Sequence, residues 1–259
     1  MNRTLRSLAA HILPPALTLI GALLLWEFWV QWREIAIIVV PPPSAVMERF
    51  VDDPVFFWRE GGWTLYEATL GLLLGSSFAL ALAVAMAHSR LTERALFPLA
   101  IIIKVTPIVA VAPVLVIMFG FGTTPKILVA ALLSFFPMLV NAMTGFRDVN
   151  PGALEFMRSL RASPWQLFWK LRLPSALPYL FAALKITYPL ALIGAVVAEW
   201  FTGDRGLGLV IFVANANLDT PTLFAAVGVL ALTGVTLNVL LYLIERRLLF
   251  WHETIRTIR

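Results

Sequence analysis

Residues 151–174 read PGALEFMRSLRASPWQLFWKLRLP and form the longest polar interruption between apolar segments after residue 70. The stretch carries Glu155, Arg158, Arg161, Lys170 and Arg172, while the segments on either side are almost free of charge. At helical period Leu154, Met157, Leu160 and Arg161 share one face, and Trp165, Phe168, Trp169 and Leu171 continue an apolar stripe. Ala162-Ser163-Pro164 reads as a break followed by a new start. Ser163 suits an N-cap, and Pro164 suits the first helical position, where its missing N–H costs nothing. The spacing predicts two short amphipathic helices meeting at a turn, basic residues toward water. Set in an apolar chain, that is the character of a docking surface for a soluble partner.

The surrounding composition fixes the solvent. Of 259 residues, 60% are hydrophobic and only 14% charged, with mean hydropathy +0.86; soluble domains carry about a quarter charged residues. Apolar runs of roughly 20 residues recur, each long enough for a hydrocarbon core of about 30 Å. Backbone polar groups must then be satisfied within helices, and the ten-residue alternation of a membrane barrel is absent. The expected class is an all-α integral membrane protein. No cysteine is present, which removes disulfides, thiolate metal sites and cysteine nucleophiles. The net charge of +5 suggests nucleic acid in a soluble protein; in a membrane protein it sets topology, and no nucleic-acid partner is expected.

Taken in order, the first span is expected over about 11–32. It is too long for a signal-peptide core, and no small-residue cleavage site follows before Arg33. A polar connection over 33–63 includes a short capped helix from Ser44, lying on the membrane surface. Further spans are expected at about 65–87, 95–119, 127–146, 176–201 and 224–244. The second holds Gly71-x-x-x-Gly75, a spacing that permits close helix approach. The third is interrupted by Pro107 and Pro113 and carries Lys104. With both termini inside, the inner side holds thirteen lysines and arginines (Arg3, Arg6, Arg90, Arg94, five over 147–172, Arg246, Arg247, Arg256, Arg259) against five outside (Arg33, Arg49, Arg59, Lys126, Arg205). This bias predicts six spans, both ends cytoplasmic, and places 151–174 in the cytoplasm.

On those residues the segment resembles the EAA loop of ABC-importer permeases. The aligned run is Glu155-Phe156-Met157, then Ser159 to Ser163, then Trp165 to Phe168, ending Leu171-Arg172-Leu173-Pro174. Phe156-Met157 replaces two alanines, and Arg161 stands where the family has glycine. A glycine there implies a positive φ or a tight contact, which arginine tolerates poorly. Pro107 to Pro113, Phe119-Gly120-Phe121-Gly122, Lys126-Ile127-Leu128, Phe136-Pro137, Ala198-Glu199, Gly206-Leu207-Gly208 and Glu245-Arg246-Arg247 to Trp251 are similar to the nitrate/sulfonate/taurine permease subfamily, so the likeness runs from about residue 40 to the end.

The resemblance implies a type I permease domain spanning 1–259, with its core at about 65–246 and a cytoplasmic coupling loop at 150–174. It also implies a multi-pass protein of the cell inner membrane, a second permease copy as homodimer partner, two cytoplasmic ATP-binding subunits and a periplasmic or lipid-anchored binding protein. The solute is then a nitrate-, sulfonate- or taurine-like anion, or an aromatic vitamin or pyrimidine precursor. The chain lacks a G-x-x-x-x-G-K-[ST] phosphate loop, so it is not itself an enzyme: no cofactor is expected in it, and ATP with magnesium belongs to the partner ATPase. The coupling residues are Glu155, Arg158, Ser159, Arg161, Ala162, Ser163, Trp165, Gln166, Leu173 and Pro174, held as a helix pair in an ATPase groove.

The candidate pathway residues are Lys104, Pro107, Asn141, Lys185, Tyr188 and Glu199. Lys104 and Lys185 sit near mid-depth, where a charge costs at least about 2.5 kcal/mol and must face a cavity or a partner. They read as an electropositive path for an anion, or as structural pairs with Glu199, Glu67 or a carbonyl. Glu199 reads as a gate or lysine partner, or as an ordinary interfacial carboxylate. Pro107, Pro113 and Pro189 read as helix breaks exposing carbonyls or as simple kinks, and Gly203 to Gly208 as a re-entrant loop. His11, His88 and His252 are too far apart for a metal site, and no catalytic constellation is present. The alternative is an ion-gradient-coupled secondary transporter or channel, with Glu199, Lys104 and Lys185 as coupling charges. That reading needs no ATPase at 151–174.

Overall fold

The computed structural model describes residues 3–249, with side chains from residue 13 onward. The side chains of Arg3, Arg6 and His11, and residues Trp251, His252, Arg256 and Arg259, which entered the sequence reading, lie outside the described part. The described residues are helices and connections, with no strand. Among the described residues five helices are long and apolar enough to cross a membrane, and a sixth span arises if one bent pair counts as one.

Helix α1, Arg3–Trp32, carries Pro14 and Pro15 within it. Helix α2, Pro43–Asp52, starts with proline at its first position and has no cap from its own N-cap residue. Glu27 of α1 supplies it instead, accepting from the Ser44 backbone N–H and hydroxyl at 2.9 and 2.8 Å. Helix α3, Pro54–His88, begins ten residues before the expected connection ends. Asp53 caps it through the Phe56 N–H at 3.0 Å. Arg59 and Glu60 made this turn look like loop; the helix simply continues beyond its apolar span.

The connection left between the spans expected at 65–87 and 95–119 reduces to Ser89, whose hydroxyl caps α4, Arg90–Val105, through the Thr92 N–H. The expected third span divides into α4 and α5, Ile108–Phe119, bent by 98° at Thr106-Pro107. Pro107 breaks the helix because it disfavours helical geometry at the preceding residue, whereas Pro113 stays inside α5. Helix α6 is Thr123–Arg147. Helix α7, Pro151–Ser159, is followed by α8, Pro164–Leu167, a π-helical turn at Phe168–Arg172 and α9, Leu173–Thr202. The second short helix is therefore continuous with the next span rather than separate. The expected re-entrant loop is shorter than foreseen, because α10, Leu207–Ala216, starts within it. Helix α11, Thr220–Leu248, ends the described chain.

The chain forms two compact units. In the first, Met1–Trp58 with Val210–Val229, Trp26 meets Phe224 at 5.5 Å, Arg49 donates to the Thr222 hydroxyl at 2.9 Å, and Arg49 also stacks over Phe57. In the second, Arg59–Leu209 with Leu230–Arg259, α6 lies between α3 and α9. A side-chain carbon at Gly71 would come 2.4 Å from Ala130 Cβ, one at Gly75 2.3 Å from the Ala131 carbonyl oxygen, and one at Gly194 2.8 Å from Ala130 Cα. Small residues on both faces of α6 permit this approach. Ala79, Ala83, Met86, Phe135, Met138, Leu139, Ala142, Phe146 and Ala176 fill the core toward the 151–174 segment.

Candidate functional site

The 151–174 segment is built from local capping. The Asn150 side chain accepts from the Ala153 N–H at 3.2 Å, and Pro151 occupies the first turn of α7. The helix closes with the Arg161 N–H on the Arg158 carbonyl at 2.9 Å and the Ala162 N–H on the Met157 carbonyl at 3.1 Å. That paired arrangement requires a left-handed residue after the helix end, and Arg161 fills it with φ +54°. The conformation inferred from the family glycine is kept, with arginine bearing the strain. Ser163 and Gln166 then form a reciprocal capping box, the Ser163 N–H donating to Gln166 Oε1 at 2.9 Å and the Gln166 N–H to Ser163 Oγ at 3.3 Å. This satisfies two otherwise orphaned donors.

The base of the segment is anchored. Arg147 grips Glu93 through two bonds at 2.9 and 2.6 Å, Tyr179 donates to Asp148, and Phe168 packs 5.7 Å from Phe146. Leu173, Pro174 and Ala162 are half-buried along this base. The tip is not anchored. Phe156, Leu160 and Trp165 are each more than 60% exposed, and Trp165 stacks edge-on against the exposed Trp169 at 5.4 Å. Glu155, Arg158, Ser159 and Arg161 are exposed, and among the described residues Glu155, Arg158, Arg161 and Lys170 form no ion pair. The segment is thus a rigid, braced base presenting uncovered aromatic and charged side chains.

At the opposite end of α9 lies a buried polar network. Glu60, Thr64 and Glu67 recur at helical spacing on α3 and are nearly or wholly buried. Glu60 accepts from the Gly206 N–H at 2.8 Å, Thr64 accepts from the Leu207 N–H at 2.9 Å and donates to Glu199 Oε1 at 2.7 Å, and the Gly208 N–H donates to Glu199 Oε2. Lys126, in the first turn of α6, donates to Glu67 at 3.0 Å, to Asp204 at 2.6 Å and to the Arg205 carbonyl at 3.1 Å. A cation is unfavourable at a helix N-terminus, and the two carboxylates offset that. Burial alone raises the Asp204 carboxyl; the Lys126 hydrogen bond and charge outweigh it and hold the group below the usual carboxylate range.

The six expected pathway residues do not come together. Glu199 is wholly buried and takes its bonds from Thr64 and Gly208, not from a lysine. Tyr188 is 3% exposed, packed among Leu72, Ala130 and Ala191. Neither lines a solvent path within this chain. Lys185 pairs with Glu245 and lies 6.0 Å over Tyr242, rather than meeting Glu199 or Glu67. Asn141 donates to the Pro137 carbonyl of its own helix at 2.8 Å. Lys104 and Pro107 lie together at the α4–α5 break. The charge count sets Lys126 on the outer side of the membrane, and the structure buries it in the first turn of α6. The signal that could have placed it inside is the pair of carboxylates seven residues apart in α3. No group of three metal-ligating side chains is present among the described residues.

Comparison with known proteins gives a consistent set. The family model for binding-protein-dependent transport system inner membrane components matches residues 71–250. The riboflavin transport system permease protein of Chloroflexus aurantiacus is 36% identical over 239 residues, covering 92% of this chain and 89% of that one. The taurine transport system permease protein of Escherichia coli is 30% identical over 246 residues, covering 92% and 90%. Among solved structures, an amino acid ABC transporter chain matches with TM-score 0.62 at 19% identity over 77% of this chain and 97% of that one. A chain of an inward-facing methionine ABC transporter matches with TM-score 0.59 at 17% identity over 73% and 98%.

Proposed function

Because this chain belongs to the binding-protein-dependent transport system inner membrane components, as an ABC importer permease of the nitrate, sulfonate and taurine type, we propose that it forms the translocation pathway of an ATP-driven importer. It is a multi-pass protein of the cell inner membrane, and membership of this family supports the ATP-driven reading over the ion-gradient-coupled one. In the proposal two copies pair as a homodimer with both termini cytoplasmic. Two ATP-binding subunits dock beneath them, and an extracytoplasmic binding protein delivers a small solute: an anion of the sulfonate or taurine kind, or a vitamin or pyrimidine precursor.

The observation that carries the proposal is the 151–174 segment. Its base is capped and braced through Phe168, which packs on His88 of α3 and Phe146 of α6 beside the Arg147–Glu93 pair, while Phe156, Leu160, Trp165 and Trp169 stand exposed beside unpaired charges. Exposed aromatic anchors ringed by charge are what a helix-in-groove contact uses. A rigid base then passes movement of the ATPases directly into α9, since α8 is continuous with it through the π turn.

Co-purification of the tagged chain from its native membrane, analysed by mass spectrometry, tests this. The wild type is expected to bring down an ATPase and a binding protein, and Glu155→Arg to lose the ATPase. A wild-type preparation without any ATPase would contradict the proposal.

A further inference from the structure

Three lysines lie in the apolar helices of the second unit, and two are neutralised. Lys126 meets Glu67 and Asp204, and Lys185 meets Glu245. Lys104 meets no carboxylate among the described residues; its ammonium rests on the face of Phe136, 4.7 Å from the ring centroid. Phe97, two turns earlier on the same face of α4, contacts Phe136 at 6.3 Å, so Lys104 is turned toward α6. It stands in the last turn of α4, before the 98° bend into α5. The negative end of the α4 dipole favours a cation there, and a ring face orients an ammonium without cancelling its charge. Arg94 lies ten residues earlier on α4, about 15 Å at 1.5 Å per residue; with Arg94 at the membrane surface and α4 along the membrane normal, that is half of a hydrocarbon core about 30 Å thick.

An ammonium at that depth is retained where it meets water or an anion. We infer that Lys104, posed on Phe136 at the break between α4 and α5, is the charge-selecting contact for the anionic group, carboxylate or sulfonate, of the permeating solute. This rests on the permease reading and narrows the solute to one bearing a negative charge. It also divides the lysines by role: Lys126 and Lys185 hold helices, and Lys104 meets cargo.

The chain has no cysteine, so Ile101→Cys, one turn before Lys104 and 41% exposed in the wild type, introduces a lone thiol. The assembled transporter in native membranes is treated with an anionic sulfonatoethyl or a cationic trimethylammonioethyl methanethiosulfonate. In each case the thiolate attacks sulfur, forms a mixed disulfide and releases methanesulfinate. Side chains three apart on a helix lie about 5–6 Å apart, so Lys104 should favour the anionic reagent by about tenfold over the cationic one after correction for their intrinsic rates. The preference should vanish with Lys104→Met and return with Lys104→Arg. Ile108→Cys, across the break, should behave alike and serves if Ile101→Cys fails to assemble. Equal reagent preference with and without Lys104, or no reaction at either position, overturns the inference. Recovery of the ATPase with the wild-type chain reports on the permease reading separately, so a flat preference in a chain that keeps its ATPase rejects the Lys104 role alone.

Discussion

Lys126 donates to Glu67 at 3.0 Å with both side chains wholly buried, fastening the start of α6 to the middle of α3. Removing one member of such a pair leaves an unpaired charge in a dry site and costs about 3–5 kcal/mol. Lys126→Met is therefore expected to lower the thermal midpoint of the solubilised protein sharply, and Lys126→Met/Glu67→Met to recover part of the loss, the share due to the Lys126–Asp204 contact staying lost. A single variant melting with the wild type would show that the pair holds nothing.

Two glycines in the loop between α9 and α10 separate backbone strain from crowding. Gly203 has φ +65° with open space around it, whereas Gly206 has φ +106° and an added carbon there would come 2.1 Å from Glu199 Oε1. Gly203→Ala should cost about 1–2 kcal/mol, the ordinary left-handed penalty. Gly206→Ala should cost more, because the buried Glu199 must also move. Thermal midpoints give the ranking, and an equal loss would refute the crowding.

Asp204 sets an acid limit. Its folded carboxyl lies below its unfolded value because of Lys126, so its contribution is complete above the unfolded value, near pH 4, and fades as pH falls through the folded one. Asp204→Asn should lower the midpoint at neutral pH and flatten its decline in acid. An unchanged acid limb in Asp204→Asn would show that another group controls it.

Arg161 holds a left-handed conformation that glycine adopts freely. Arg161→Gly should preserve the helix closure and ATPase recovery, with a stability change within about 1 kcal/mol. Arg161→Val, β-branched at the same φ, should weaken both. If Arg161→Gly alone abolishes ATPase recovery, the side chain rather than the turn makes the contact.

Much of this was legible in sequence. The spans follow from run length, Ser163 and Pro164 from capping chemistry, and the Gly71–Gly75 approach from spacing. The left-handed turn at Arg161 was readable only through the family's glycine, since arginine gives no such signal. The long-range partners were not legible. Glu245 for Lys185, and Thr64 with the Gly208 amide for Glu199, are set by tertiary packing of segments tens of residues apart. Helix ends were misplaced where charged residues such as Arg59, Glu60 and Arg90 continue a helix past its apolar part.

The central claim is that the exposed tip of the 151–174 segment contacts the ATPase, and site-specific photocrosslinking in native membranes tests it most directly. With benzoylphenylalanine in place of Trp165, the account predicts a crosslinked product containing the ATP-binding subunit. The same group in place of Met47, exposed on α2, should give none. An ATPase adduct from Met47, or none from Trp165 in a complex that retains its ATPase, would contradict the account.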